Sequence, residues 1–185
     1  MSDLTGRELV IESADTAIVD LMVIPLLSGD PEAVVLASHV RFDGDAEGQL
    51  MMLFRPDTVQ ELGQVLSPRV FAGIPGGGTN ALVGSFLAEV ANIVGSSVLN
   101  AVADGAGLKI VPTPPVMVRD MVGAVLSSAL AYVGASEAVY VVHIKFTILS
   151  GGASFEIVLL PKVSADLDKF LGAGVDRWGL GTSLL

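Results

Sequence analysis

The chain has 185 residues, a length typical of one domain. Twenty acidic against ten basic residues give it a net charge of −10, and no Lys/Arg cluster is present to hold nucleic-acid phosphates or anionic lipid headgroups. It has no cysteine and only two histidines, which excludes disulfides, thiolate metal sites and a cysteine nucleophile, and leaves little for a histidine metal centre.

Apolar residues make up 51% of the chain and mean hydropathy is +0.67, which predicts a large core and a buried interface besides. The opening Met1-Ser-Asp-Leu-Thr-Gly-Arg-Glu8 is polar and has no signal-peptide apolar region. The expectation is a cytoplasmic protein. Segments 32–42 and 48–54 are rich in β-branched and apolar residues and flank Asp43-Gly44-Asp45, the pattern of a hairpin. Pro56 then opens a short helical pattern that ends at Leu66.

Gly76-Gly77-Gly78 has no following Gly-Lys-Ser/Thr and no basic neighbour, so it is no phosphate cradle. It precedes one long helix, with Thr79 or Asn80 as N-cap and an end near Asp104-Gly105. That apolar run, Ala81 to Ala103, holds Glu89, Asn92 and Asn100 near its middle, and a mid-span carboxylate costs about 2.5–3.5 kcal/mol. The run Met121 to Ala135 is too short to span, and Arg119 and Asp120 precede it. Neither run is expected in a membrane. Strands return at 137–148 and 154–160 around Ser150-Gly151-Gly152, followed by Pro161, a second short helical pattern ending at Leu171, and a tail. Trp178 in that tail anchors it on the domain or on another protein; the sequence leaves both open. The six methionines read as core filler.

The chain resembles itself. Leu9–Met22 matches Leu108–Met121, His39-Val-Arg-Phe42 matches His143-Ile-Lys-Phe146, and each second strand is followed by a proline. The offset is 99 residues at the start (Leu9 to Leu108) and 105 at the end (Leu66 to Leu171). The reading is one domain over 1–185: repeat one at about 9–66, the long helix at about 79–104, and repeat two at about 108–171. Antiparallel hairpins plus helices make it α+β. With eight residues before Leu9, the first repeat lacks the helix that precedes the second. His39 and His143 occupy matching strand positions, so they are shared structural residues rather than metal ligands.

On the long helix, Leu82, Phe86, Val90, Ile93 and Val94 form the expected apolar face. Ser85, Glu89, Asn92 and Ser96 fall at i, i+4, i+7 and i+11 in a stripe on the other side. That stripe has one charge, and small residues (Gly84, Ala88, Ala91, Gly95, Ser97) flank it. Such a surface lets another macromolecule approach the backbone.

Ser85-x3-Glu89-x2-Asn92, then twenty-two residues and Pro115, resembles the signature of the CheC/CheX/FliY family of chemotaxis phosphatases. Glu89-Val-Ala-Asn92-Ile-Val-Gly-Ser-Ser-Val-Leu-Asn100 reads like its active helix, and Pro114-Pro115 and Asp120-Met-Val-Gly123 read like the segment after that helix. The resemblance implies a tandem pseudo-two-fold repeat and hydrolysis of the aspartyl phosphate of a CheY-like response regulator. It makes Glu89 and Asn92 catalytic, with Ser85 and Pro115 supporting. One site is implied, because the helix that would carry a second motif is not expected before the first repeat and Thr16 or Asp15 stands where that repeat would need its proline. Asn92 would position water in line with phosphorus, and Glu89 would pair with the receiver's lysine. No cofactor of its own is implied, Mg2+ belonging to the receiver. CheD, a partner of CheC-type proteins, is a further candidate. The alternative is a non-catalytic scaffold like the FliM middle domain, which resembles the family without the Glu and Asn pair. The uncovered first repeat and high apolarity predict a homodimer.

Overall fold

A computed structural model of the chain describes residues 3–4, 7–66, 81–134, 138–148 and 154–162. The Gly76–Gly78 run, the N-cap at Thr79 or Asn80, the Ser150–Gly152 turn, the helical pattern ending at Leu171 and the Trp178 tail lie outside the described residues. In chain order the elements are β1 (Asp3–Leu4), β2 (Arg7–Asp20), a 3-10 turn (Ile24–Leu26), β3 (Val34–Gly44), β4 (Gly48–Phe54), α1 (Pro56–Leu66), α2 (Ala81–Ala106), β5 (Ile110–Pro112), β6 (Val116–Met121), α3 (Val122–Val133), β7 (Ala138–Ile148) and β8 (Ser154–Pro161). The described strands form one sheet in the order β1-β2-β7-β8-β4-β3-β5, with β6 also on β3. Every pairing is antiparallel. The fold is α+β.

Helices cover both faces at the centre of this sheet. On one face Val40, Leu50, Met52, Phe54, Ile144 and Ile157 pack with Val83, Leu87, Val90 and Val94 of α2 and Val59 and Leu62 of α1. On the other, Val35, Met51, Leu53, Val158 and Leu160 meet Val122, Val125, Leu126 and Ala129 of α3, together with Ile24 of the 3-10 turn. A strand covered on both sides needs no alternation, and all seven residues of β4 are buried. Gly48 begins β4 because nothing larger fits: a Cβ there would lie 2.5 Å from the Leu160 carbonyl oxygen.

Strand registers locate a pseudo-two-fold axis. Met51 of β4 faces Val158 of β8, while His39 faces Met51 and His143 faces Val158 within the two hairpins. Superposing one hairpin on the other therefore places Met51 on Val158, and these two already stand opposite each other. The axis passes between them. Farther out, Asp15 of β2 faces His143 and Val116 of β6 faces His39, so those equivalents are 101 residues apart. Leu9 and Ile110, which face Ile148 and Gly44, give the same separation. The sequence offset of 99 is thus corrected by two residues, a shift that keeps every side chain on its own face and escapes pattern matching. With it, Ala14 rather than Thr16 or Asp15 is the counterpart of Pro115.

Three other expectations change. The run after Met121, read only as too short for a membrane, is helix α3, and its apolar character belongs to the core it shares with β4 and β8. Ile93, expected in the core face of α2, is 36% exposed. Of the methionines, Met51 and Met52 are core, whereas Met22 and Met121 are exposed. By length and composition, one described helix (Val83–Ala106, mean hydropathy 1.5) could cross a membrane, but half of it is buried within the fold. That helix ends in a left-handed Gly107 at φ +66°, with the Leu108 N–H donating to the Ala103 carbonyl at 2.9 Å.

The α3 face ends in two polar corners related by the axis. In one, Gln49 Nε2 donates to His39 Nδ1 at 2.6 Å. In the other, Glu156 Oε2 meets His143 Nε2 at 2.8 Å. Burial, then the nearby Arg41 charge, holds the His39 pKa below 6.5. For Glu156, burial pushes the carboxyl up, but hydrogen bonds from His143 and Ser28 and then the charges of His143 and Lys145 outweigh it, so that its pKa lies below 4.5. A group with a depressed folded-state pKa binds its proton more readily in the unfolded chain, so its stability contribution is full above the unfolded value and lost below it. Urea midpoints should therefore fall in two stages on acidification, first below about pH 6.5 from His39 and then below about pH 4.5 from Glu156. His39→Gln should remove the first stage and Glu156→Gln the second. Variants whose pH profiles parallel the wild type would refute the assignment.

Candidate functional site on helix α2

Helix α2 has a buried side fixed by Val83, Leu87, Val90, Ala91, Val94 and Val98, a spacing near 3.6 that fastens one face to the sheet. This anchoring decides which residues face outward. Ser85, Glu89 and Asn92 are all exposed. At about 1.5 Å rise per residue the stripe from Ser85 to Asn92 is about 10 Å long, and Glu89 and Asn92 are neighbours one turn apart. Among the described residues, neither the Glu89 nor the Asn92 side chain has a hydrogen bond or ion pair. Ser85 does interact within the chain.

The surroundings leave room for a partner. No Lys or Arg occurs in α2, so the Glu89 carboxylate is not neutralised along its own helix. Gly84 is half-buried, yet a Cβ there would meet nothing within 4 Å among the described residues. Its smallness serves no packing among the described residues. Ile93, beside Asn92, adds an apolar surface at the edge of the stripe. Gly95 faces the other way, toward Leu50 and Val40 of the sheet.

Pro115 lies between β5 and β6, half-buried. Thr113 pairs with Arg41 of β3 (its N–H donates to the Arg41 carbonyl at 2.8 Å, and its Oγ1 accepts from the Arg41 N–H at 3.1 Å). Pro114 comes next as the extra residue before β6 resumes at Val116 opposite His39. By strand alternation Pro115 shares the side of Met117, which packs against the cluster beneath α2. The fold thus brings Ser85, Glu89 and Asn92 into one exposed stripe, and places Pro115 on the side of the sheet that α2 covers.

The chemistry on offer is narrow. A carboxylate can take a cation from a partner, and a carboxamide presents an acceptor and two donors without charge. Among the described residues, no group of three or more His, Asp or Glu side chains gathers as a metal site. Sequence reading missed a cleft on the opposite face, lined by His39, Arg41, Thr113 and Tyr132 among others. Its signal was the unequal repeat, in which Gln49 stands where the second hairpin has Glu156.

No protein-family model matches the chain. Solved structures do. FliY from Thermotoga maritima is similar over 94% of this chain and 85% of its own, with 15% identity and a TM-score of 0.66. A CheC-like chemotaxis protein from Shewanella oneidensis is similar over 85% and 87%, with 16% identity and a TM-score of 0.52. The CheX–CheY–BeF3–Mg2+ complex from Borrelia burgdorferi has a chain similar over 77% and 91%, with 15% identity and a TM-score of 0.50. At such identities the likeness concerns the fold: this chain has the CheC/CheX/FliY fold.

Proposed function

We propose that the chain is a cytoplasmic phosphatase of a CheY-like response regulator, acting on the regulator's aspartyl phosphate. The observation that carries this reading is the pairing of Glu89 and Asn92 on the exposed side of a helix whose other side is locked into the core. An acyl phosphate needs no nucleophile from the enzyme, only a water held in line with phosphorus. The Asn92 oxygen would accept a hydrogen bond from that water, and its neutrality avoids repelling the phosphoryl group. Glu89 would take the receiver's lysine as an ion pair, orienting the two proteins. Ser85 and Pro115 would shape the approach, and Mg2+ would enter with the receiver. A CheX with a related fold has been solved with CheY, BeF3 and Mg2+, which supports a receiver as the partner class; CheD is a second candidate partner.

Single-turnover loss of phosphate from a phosphorylated CheY-like receiver tests this. Asn92→Ala should slow the reaction about 10²–10³-fold while leaving receiver binding near the wild-type value. Glu89→Ala should weaken binding as well, by about 2–5 kcal/mol, because the receiver's lysine loses its partner. Gly84→Ala should raise helix stability by about 0.5–1 kcal/mol, yet hinder docking if the receiver's backbone approaches there. Wild-type rates in Asn92→Ala would refute water positioning. Receiver binding with no acceleration by the wild type would establish the FliM-like scaffold instead.

Assembly belongs to the same proposal. Ile18 on β2 and Met22 just after it are 74% and 82% exposed, and a homodimer would cover them. Light scattering over a dilution series should show a dimer at tens of micromolar (about that range suffices for a standard interface), and Ile18→Lys should shift it to monomer. A monomer throughout would refute the dimer.

A further inference from the structure

The two polar corners of the sheet are equivalents, but they are not balanced alike. Around His143 the second hairpin supplies its own anion: Glu156 bonds the ring at 2.8 Å, and Lys145 lies close enough to act on the same carboxylate. Around His39 the counterpart of Glu156 is Gln49, and the counterpart of Lys145 is Arg41. This corner has the cation, but a neutral amide where the other has a carboxylate. Among the described residues, the Arg41 guanidinium has no ion-pair partner; it lies over the Tyr132 ring at 4.6 Å. Lys162 sits against the same ring at 4.7 Å, but it is already bridged to Glu47 at 3.0 Å.

This unbalanced corner opens into a cleft of about 680 Å3 between β6 and α3. Gln49 donates to His39 Nδ1, which places the ring proton on Nε2 as a donor. The Thr113 hydroxyl accepts from the Arg41 backbone N–H and keeps its own hydrogen for another acceptor. Beyond this polar end the cleft is apolar, along Val116, Val118 and Val125. Asp120 closes the far end. It pairs with Val35 of β3, six residues from Arg41, or about 20 Å of strand. At that distance it does not neutralise the guanidinium, and it repels any acid that enters the wrong way round.

We propose that this cleft binds a small organic monocarboxylate, its acid group on Arg41 and Thr113 and its apolar body along Val116, Val118 and Val125. The guanidinium suits a carboxylate because its planar fork donates two parallel hydrogen bonds, and the Tyr132 ring beneath it at 4.6 Å holds the charge at the mouth of the cleft. A ligand with one charge and an apolar tail matches both ends of the cleft. The site lies on the opposite face of the sheet from Glu89 and Asn92, so it stands or falls independently of the phosphatase reading.

The test is amide NMR titration of the full chain with acetate, butyrate, hexanoate and phenylacetate, with hexanamide as the uncharged control. Saturable shifts should map to Thr113, Val118, Ser128 and Tyr132, with affinity rising roughly two- to four-fold per added methylene. Hexanamide should bind at least about tenfold more weakly, the loss expected for a charge-assisted pair. Arg41→Gln should weaken hexanoate by a similar factor while lowering the thermal melt only slightly, since the side chain is exposed and loses only its contact with the Tyr132 ring. Val116→Asp, also at an exposed position, should abolish binding by placing a charge beside the tail. Absence of saturable shifts with every acid would overturn the proposal. So would equal affinities for hexanoate and hexanamide, or unchanged hexanoate affinity in Arg41→Gln.

Discussion

The pairing of β4 with β8 is the interaction on which the rest of the molecule depends. It joins the two hairpins at the pseudo-two-fold axis, with Met51 opposite Val158. It also makes each central strand a wall shared by two cores, one under α2 and one under α3. The close approach at Gly48, backed by Phe42 and the Leu160 carbonyl, sets how near the two repeats can come. A slip of one residue in this pairing would exchange the inner and outer sets of both strands at once. A slip of two would carry His143 and Glu156 out of alignment with His39 and Gln49. The register of one strand pair thus positions both α2 and the cleft.

Much of this was legible in the residues, and the failures have physical causes. The hairpins were readable because β-branched runs flank short Gly- and Asp- or Ser-containing segments, although β3 runs on through Asp43 and Gly44 and the first turn falls at 45–47. The stripe on α2 was readable because Ser85, Glu89 and Asn92 repeat at helical spacing. Ile93 was misplaced because an apolar residue beside the boundary of a helical face can fall on either side, and only the sheet beneath decides. The two-residue error in the repeat arose because strand periodicity is two, so offsets of 99 and 101 give the same inward and outward pattern. The α3 segment was passed over because Val122–Val133 is apolar nearly all round. Such a helix announces burial but not orientation.

Duplication explains why the halves can differ in chemistry while sharing a scaffold. The sheet requires only that equivalent positions near the axis be apolar, and Met51 and Val158 meet that demand with different shapes. Away from the axis the requirement relaxes. His39 with Gln49 and His143 with Glu156 both satisfy a half-buried imidazole, but they leave different net charge around it. One corner closes on itself through the hydrogen bond between His143 and Glu156; in the other, among the described residues, the Arg41 guanidinium has no ion-pair partner and stands beside a cavity. A neutral-for-charged exchange of nearly identical size is a small change in packing and a large one in electrostatics.

The segment Thr113–Pro115 links the two proposed surfaces, since Thr113 lines the cleft and Pro115 lies on the α2 side. That shared segment raises the question of coupling, and its construction argues against it. Two consecutive prolines fix their own φ angles, and Thr113 is held to Arg41 by hydrogen bonds at 2.8 and 3.1 Å. A ligand shifts a distant site only if it distinguishes two states of the element between them. A segment pinned in one state offers no such choice. Saturating hexanoate should therefore leave the rate of receiver dephosphorylation unchanged, as measured in the same single-turnover assay. A rate that moved with cleft occupancy would mean that the proline segment has a second conformation, reachable at the cost of the Thr113 bonds.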